Sequence, residues 1–141
     1  MKDETGAMEI LMVVDGEVLI RAELSNYLRH CGYIVIEAAS TDEAKAVLDS
    51  SKHSVDAILC DTDAPGEVNG FGLAAWVRKH HPQVDVTLAG NIDKAAQAAA
   101  ELCDDGPHLS RPYDPTAVSD FIRQRLAQRD RKGRADGASE G

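Results

Sequence analysis

The chain has 141 residues, of which 43% are hydrophobic and 28% are charged, and its formal net charge is -9. This length fits one globular domain, and the composition excludes collagen-like and small disulfide-built proteins. The acidic excess argues against the basic face that nucleic-acid binding requires, so proteins or cations are the expected partners.

Apolar runs and helical patterns alternate along the chain. Strand-like runs cover residues 9–14, 33–38, 55–60, 84–89 and 107–110. Apolar residues at helical spacing lie between Gly16 and Gly32, from Ser40 through 48, and over 70–81, 92–103 and 114–127. Ser40 followed three residues later by Glu43 is typical of a helix N-cap.

This alternation predicts a single α/β domain over residues 8–127. Strands that follow one another through helices form a parallel sheet, and the helices must bury their apolar stripes on both of its faces. We therefore expect a doubly wound, five-stranded parallel sheet. Residues 1–7 are expected to be a flexible N-terminus, and the charged, glycine-rich residues 128–141 a disordered tail.

The cysteines and the hydropathy pattern bear on location. Cys31, Cys60 and Cys103 are odd in number, widely spaced and placed within periodic segments. They are predicted to be small core residues of a reduced, cytoplasmic protein. The first residues lack the apolar stretch of a signal peptide, and no run is long enough to cross a membrane.

Two of the predicted strands end in a carboxylate. Asp15 follows the first strand and Asp61 follows the third. In an open α/β sheet, ligands bind at the carboxyl ends of the strands, so these acids are the first candidates for a functional site.

The residues around these acids form a recognisable pattern. Asp61 is followed by Pro65-Gly66 and by Asn69-Gly70, and the fifth predicted strand is followed by Arg111-Pro112. Over residues 8–127 this arrangement resembles the receiver domain of two-component response regulators. The resemblance implies a flavodoxin-like three-layer sandwich with strand order 2-1-3-4-5.

The resemblance also implies a function. Asp61 would accept a phosphoryl group from a histidine kinase or phosphotransfer protein. Mg²⁺ would be held by the side chains of Asp15 and Asp61 and the backbone carbonyl of Asp63, and Arg111 would contact the phosphoryl group in the family's lysine position. Such a protein is not an enzyme, and this chain would be a single-domain regulator that signals through contacts with a downstream protein.

One departure from the family pattern concerns the metal. Gly16 stands where the family usually carries a second acid, so Mg²⁺ binding is expected to be weak, and Gly16→Asp is expected to strengthen it. Glu17 is an alternative ligand, although a solvated acid favoured by the dipole at the start of a helix is the preferred interpretation.

Other departures concern the switch residues. The Ser or Thr that contacts the phosphoryl group in the family falls at Ala89 or Gly90. Thr87 lies two or three residues too early on the strand, and Asn91 is a partial substitute from the loop. His108 occupies the position of the family's aromatic switch residue, where an ordinary strand-edge histidine is equally expected.

Two alternatives to a phosphorylated receiver are also considered. Gly16 and the missing hydroxyl favour a pseudo-receiver that binds partners independently of phosphorylation. The sequence Asp61-Thr62-Asp63 also resembles the nucleophile motif of haloacid-dehalogenase-type phosphatases. That motif belongs on the first strand of a longer chain and lacks a proline at the position of Pro65, so we give this alternative little weight.

Overall fold

A computed structural model describes residues 9–50, 52, 54–106 and 114–140. In this part of the chain four parallel strands form one sheet in the order β2-β1-β3-β4. The strands are β1 (Ile10–Val14), β2 (Ile34–Ala38), β3 (Ala57–Asp61) and β4 (Asp85–Ala89).

Helices follow the strands as the hydrophobic pattern predicts. They are α1 (Val18–His30), α2 (Thr41–Asp49), α3 (Gly70–His80), α4 (Ile92–Asp105) and α5 (Pro115–Glu140). The predicted cap at Ser40 is present, because its Oγ accepts a hydrogen bond from the Glu43 N–H at 3.1 Å. No helix in the described ranges combines the length and apolar character needed to cross a membrane.

The sheet is buried on both faces, as expected for parallel strands with helical crossovers. Alternate residues of β1 point to opposite sides, so Leu11 and Val13 join one core while Met12 and Val14 join the other. The first core is shared with α1, α4 and α5, and the second with α2 and α3. The predicted α/β sandwich is confirmed.

Within the described residues the sheet has four strands, one fewer than the five predicted. The order of its strands, 2-1-3-4, agrees with the first four places of the predicted order. The segment predicted as the fifth strand, residues 107–110, lies outside the described residues, as do residues 1–7.

The prediction of three reduced cysteines is wrong. Cys31, the C-cap of α1, and Cys103, in the last turns of α4, form a disulfide with a Cα–Cα distance of 5.5 Å. Only Cys60 is a free thiol, and it is buried. The pairing joins residues 72 positions apart, and only the packing of α4 beside α1 brings them together.

The C-terminal segment also differs from its prediction. The sequence predicts disorder after residue 127, whereas α5 continues to Glu140. Its later part contains several Arg and Ala residues, which favour helix, although Gly133 and Gly137 do not. In addition, Arg129 of this segment is held by Glu17 at the start of α1, with Nη1–Oε1 and Nη2–Oε2 distances of 2.6 and 3.2 Å.

We expect the Cys31–Cys103 disulfide to stabilise the fold. Chain-entropy arguments give about 4 kcal/mol for a crosslink that closes a loop of this length. A dithiol reductant should therefore lower the denaturation midpoint of the wild type. The double variant Cys31→Ala/Cys103→Ala should have a lower denaturation midpoint than the wild type, and reductant should not change it. Reductant should lower the midpoint of Cys60→Ala as it does that of the wild type. Equal wild-type midpoints with and without reductant would contradict a stabilising role.

Candidate functional site

Two carboxylates lie side by side at the carboxyl edge of the sheet. Val14 of β1 pairs in register with Cys60 of β3, so the residues that follow them, Asp15 and Asp61, are neighbours. Both acids line the same cavity. Asp15 is buried, with 7% of its surface exposed, and Asp61 is half-buried. The structure thus brings together the two acids that the sequence singled out.

Backbone N–H groups orient both carboxylates. The Glu17 N–H donates to Asp15 Oδ1 at 2.8 Å, and the Asp63 N–H donates to Asp61 Oδ1 at 3.2 Å. Asp63 also lines the cavity, and its N–H bond places its backbone beside Asp61. Each acid is therefore held by the residue two positions further along the chain.

The edge carries an excess of negative charge. Burial raises the pKa of Asp15 to about 6, the charges of Asp61 and Glu17 add to the rise, and the hydrogen bond from the Glu17 N–H opposes it. Burial also raises the pKa of the Cys60 thiol to about 12, with contributions from Asp61 and Asp15. Cys60 is thus an unreactive thiol, because its thiolate is absent at neutral pH.

Pro65 covers Gly16, a relation that the sequence did not reveal. A Cβ added at Gly16 would lie 2.7 Å from Pro65 Cδ and 2.8 Å from Pro65 Cγ. Pro65 is itself held in place, because its carbonyl accepts a hydrogen bond from the Thr41 N–H at 2.8 Å. The proline ring therefore occupies the space that a side chain at position 16 would enter.

Glu17 is engaged elsewhere. Its Oε1 caps α1 by accepting from the Leu19 N–H at 3.3 Å, and its carboxylate binds Arg129. The Arg129 guanidinium holds the pKa of Glu17 below its usual range. The preferred interpretation of Glu17 as an acid at the start of a helix agrees with these contacts, and the alternative role as a metal ligand finds no support in them.

The register between β3 and β4 identifies the residue of β4 that lies beside Asp61, where the sequence lacks the family's Ser or Thr hydroxyl. Ala89 pairs directly with Asp61, whereas Thr87 pairs with Leu59, two residues further down the strands. Asn91 caps α4 by accepting from the Lys94 N–H at 2.8 Å. At Gly90 an added Cβ would lie 3.5 Å from the Thr62 hydroxyl, which belongs to the residue directly after β3.

Three residues of the predicted site cannot be placed. His108, Arg111 and Pro112 all lie outside the described residues. The roles predicted for His108, as a switch residue, and for Arg111, as a phosphoryl contact, stay predictions.

The donor set of this edge fits a hard divalent cation. Two carboxylates and nearby backbone carbonyls are the oxygen ligands that Mg²⁺ takes, usually with several waters retained. Within the described ranges, however, no three His, Cys, Asp or Glu side chains are grouped so as to hold a metal ion. The residues therefore suit a weakly bound cation better than a tightly held one.

The fold and these acids match a known family. The family model described as the response regulator receiver domain matches residues 11–122. The chain belongs to this receiver family. The predicted resemblance is confirmed, and receiver domains are signalling modules that bind Mg²⁺ at their phosphorylation site.

Curated relatives are longer than this receiver chain. It is 31% identical over 110 residues to the phosphate regulon transcriptional regulatory protein PhoB of Pseudomonas aeruginosa, covering 74% of the chain and 46% of PhoB. It is 27% identical over 108 residues to the transcriptional regulatory protein AruR of the same organism, covering 74% of the chain and 44% of AruR. The chain thus spans less than half the length of either relative.

Solved receivers share the fold. A putative response regulator from Chloroflexus aurantiacus is 27% identical, with a TM-score of 0.55 over 86% of this chain and 99% of that one. The response regulator TrrA of Thermotoga maritima, solved in complex with Mg²⁺–BeF, is 30% identical, with a TM-score of 0.53 over 57% of this chain and 68% of that one.

We expect Mg²⁺ binding to this receiver to depend on pH through Asp15. Its pKa is raised to about 6, so lower pH protonates a carboxylate that the cation needs. Affinity should fall about tenfold for each pH unit below the pKa and level off above it, because one proton is displaced per cation. Calorimetric titration with Mg²⁺ over a pH series measures this. Glu17→Gln should keep the dependence, and Asp15→Asn should bind weakly at every pH. Affinity that stays constant through the acidic range would contradict the prediction.

The contact between Pro65 and Gly16 changes the expected effect of Gly16→Asp. The substitution should strain the fold by about 1–3 kcal/mol, as overpacking does, and Gly16→Ala should cost a similar amount because it adds the same Cβ. With Pro65→Ala in the same chain, the new carboxylate should strengthen Mg²⁺ binding about tenfold over Pro65→Ala alone. Chemical denaturation and calorimetry measure the two effects. A Gly16→Asp variant as stable as the wild type would show that the proline ring moves freely.

Proposed function

We propose that this receiver accepts a phosphoryl group on Asp61 from a histidine kinase or a phosphotransfer protein. The observation that carries the proposal is the placement of Asp61 at the end of β3, half-buried, beside the buried carboxylate of Asp15 and facing a common cavity. A carboxylate nucleophile needs access to the donor and a neighbour that helps to hold the metal.

The residues have separate parts in this transfer. A carboxylate oxygen of Asp61 forms a bond to phosphorus while the P–N bond of the donor's phosphohistidine breaks, and the released imidazole nitrogen takes up a proton from water. Mg²⁺, when bound, offsets the charge on the phosphoryl oxygens. Asp15, Asp61 and the backbone carbonyl of Asp63 would hold it, and Arg111 would contact the phosphoryl group. The TrrA complex with Mg²⁺–BeF supports this assignment by similarity.

The expected product is an aspartyl phosphate that switches weakly. Ala89 lies in register with Asp61 and has no hydroxyl to follow the phosphoryl oxygens. A hydrogen bond to a charged group contributes about 1.5–3 kcal/mol, so its absence removes much of the energy that would couple phosphorylation to a conformational change. We propose that the response is read by a downstream protein partner in the cytoplasm, where ATP-derived phosphodonors are found.

A pseudo-receiver is the second candidate. It is favoured by the contact of Pro65 with Gly16, which excludes a second acid side chain from the place where the family usually carries one. In this case the acidic edge would keep its shape and charge, and a partner would bind without phosphorylation. The two candidates differ in one measurable property, the chemical modification of Asp61.

We expect the wild type to gain one phosphoryl group when it is incubated with a small phosphodonor such as acetyl phosphate and Mg²⁺. Intact mass spectrometry measures the gain. Asp61→Asn should gain none because it lacks the nucleophile, whereas Asp63→Asn should still be modified because only its backbone carbonyl is used. A wild type that stays unmodified with saturating Mg²⁺ and an active donor would establish the pseudo-receiver instead.

A further inference from the structure

A cavity of about 180 Å³ extends from the acidic edge into the protein between the sheet and helices α1 and α4. Asp15 and Asp61 lie at its mouth. Its apolar walls include Leu24 of α1, Leu59 of β3 and Ala95 of α4. Leu59 is two residues before Asp61 on the same face, which places it about 6–7 Å deeper at the usual rise per residue of a strand.

Small side chains leave this space open. Ala89, at the end of β4, and Ala95, in the first turns of α4, both line the cavity, and both are buried in the core shared with α1. Larger residues at these two positions would fill it. The helices that form the walls are also joined at their far ends by the Cys31–Cys103 disulfide.

The volume suits a small apolar body. A dry cavity of about 150 Å³ holds a benzene molecule, so this one is large enough for a ring of that size. Mg²⁺ bound at the mouth would leave the apolar part of the cavity empty. The phosphorylation chemistry proposed above therefore does not account for the cavity.

The mouth suits a cation. In the described part of the chain, neither Asp15 nor Asp61 takes part in an ion pair; those identified involve other acids. The Arg21 guanidinium donates to the backbone carbonyl of Asp15 at 2.8 Å and not to its carboxylate. A ligand that carries an ammonium group could donate to both carboxylates while its apolar part fills the space below.

We propose that this cavity binds a small organic cation, a primary ammonium group on an apolar body about the size of benzene. The ammonium group lies at Asp15 and Asp61, and the apolar body lies between Leu24, Leu59 and Ala95. Because the ammonium group and Mg²⁺ use the same carboxylates, each weakens the binding of the other by the same factor.

Benzylammonium is the probe that tests this inference. It is titrated into the wild type without Mg²⁺ or phosphodonor, and the backbone amide signals of Gly90 and Ala95 are followed by NMR. We expect saturable shifts at both residues. Benzyl alcohol, which lacks the charge, and methylammonium, which lacks the ring, should each bind at least about tenfold more weakly. Saturating Mg²⁺ should weaken the binding of benzylammonium.

Substitutions distinguish binding in the cavity from general binding to the acidic surface. Ala95→Leu fills the apolar part and should weaken benzylammonium binding about tenfold or more, whereas Ala75→Leu, on an exposed position of α3, should not change it. If Ala95→Leu does not fold, Ala95→Val provides the same test with a smaller side chain. Asp15→Asn should weaken the binding of benzylammonium and leave the affinity for benzyl alcohol unchanged.

Three results would overturn the inference. One is the absence of saturable shifts with benzylammonium. Another is binding that survives the filling of the cavity at Ala95, which would assign it to the acidic surface. The last is equal affinity for benzyl alcohol, which would remove the role of Asp15 and Asp61. Each result is obtained without phosphorylation, so it leaves the proposed function of Asp61 to its own test.

Discussion

The in-register pairing of β1 with β3 is the constraint on which the site depends. It sets Asp15 beside Asp61 at the edge of a sheet that is buried on both faces. Two like charges held side by side in a poorly solvated site repel each other, and a bound cation offsets this repulsion. Burial raises the pKa of Asp15, and the neighbouring charge of Asp61 adds to the rise.

The residues around Asp15 and Asp61 determine which groups can bind beside the two carboxylates. Pro65 closes the side where a second acid would enter at Gly16, and Ala89 offers no hydroxyl on the other side. Under the assignment proposed above, positions 16 and 89 therefore lack the acid and the hydroxyl that the family pattern leads one to expect. The phosphoryl group proposed for Asp61 would then have fewer side-chain contacts through which to change the conformation of the protein.

Much of the fold could be predicted because it follows from local patterns. The strands came from apolar runs, the start of α2 from Ser40, and the meeting of the two acids from the rule that parallel strands end at one edge. The features that were missed depend on packing between distant segments. The Cys31–Cys103 disulfide, the proline ring over Gly16 and the cavity beside Ala95 all have partners that no sequence spacing reveals.

The two ends of the α1–α4 pair are held with unequal strength. At the far end the helices share a covalent disulfide within the core. Near their N-terminal ends both helices form ion pairs with α5: Arg129 binds Glu17, the N-cap of α1, and Arg123 binds Asp93 of α4. Exposed ion pairs of this kind are weak, because water and salt screen their charges. A ligand at Asp61 therefore lies near the end of the helix pair that has no covalent link, whereas the disulfide fixes the other end.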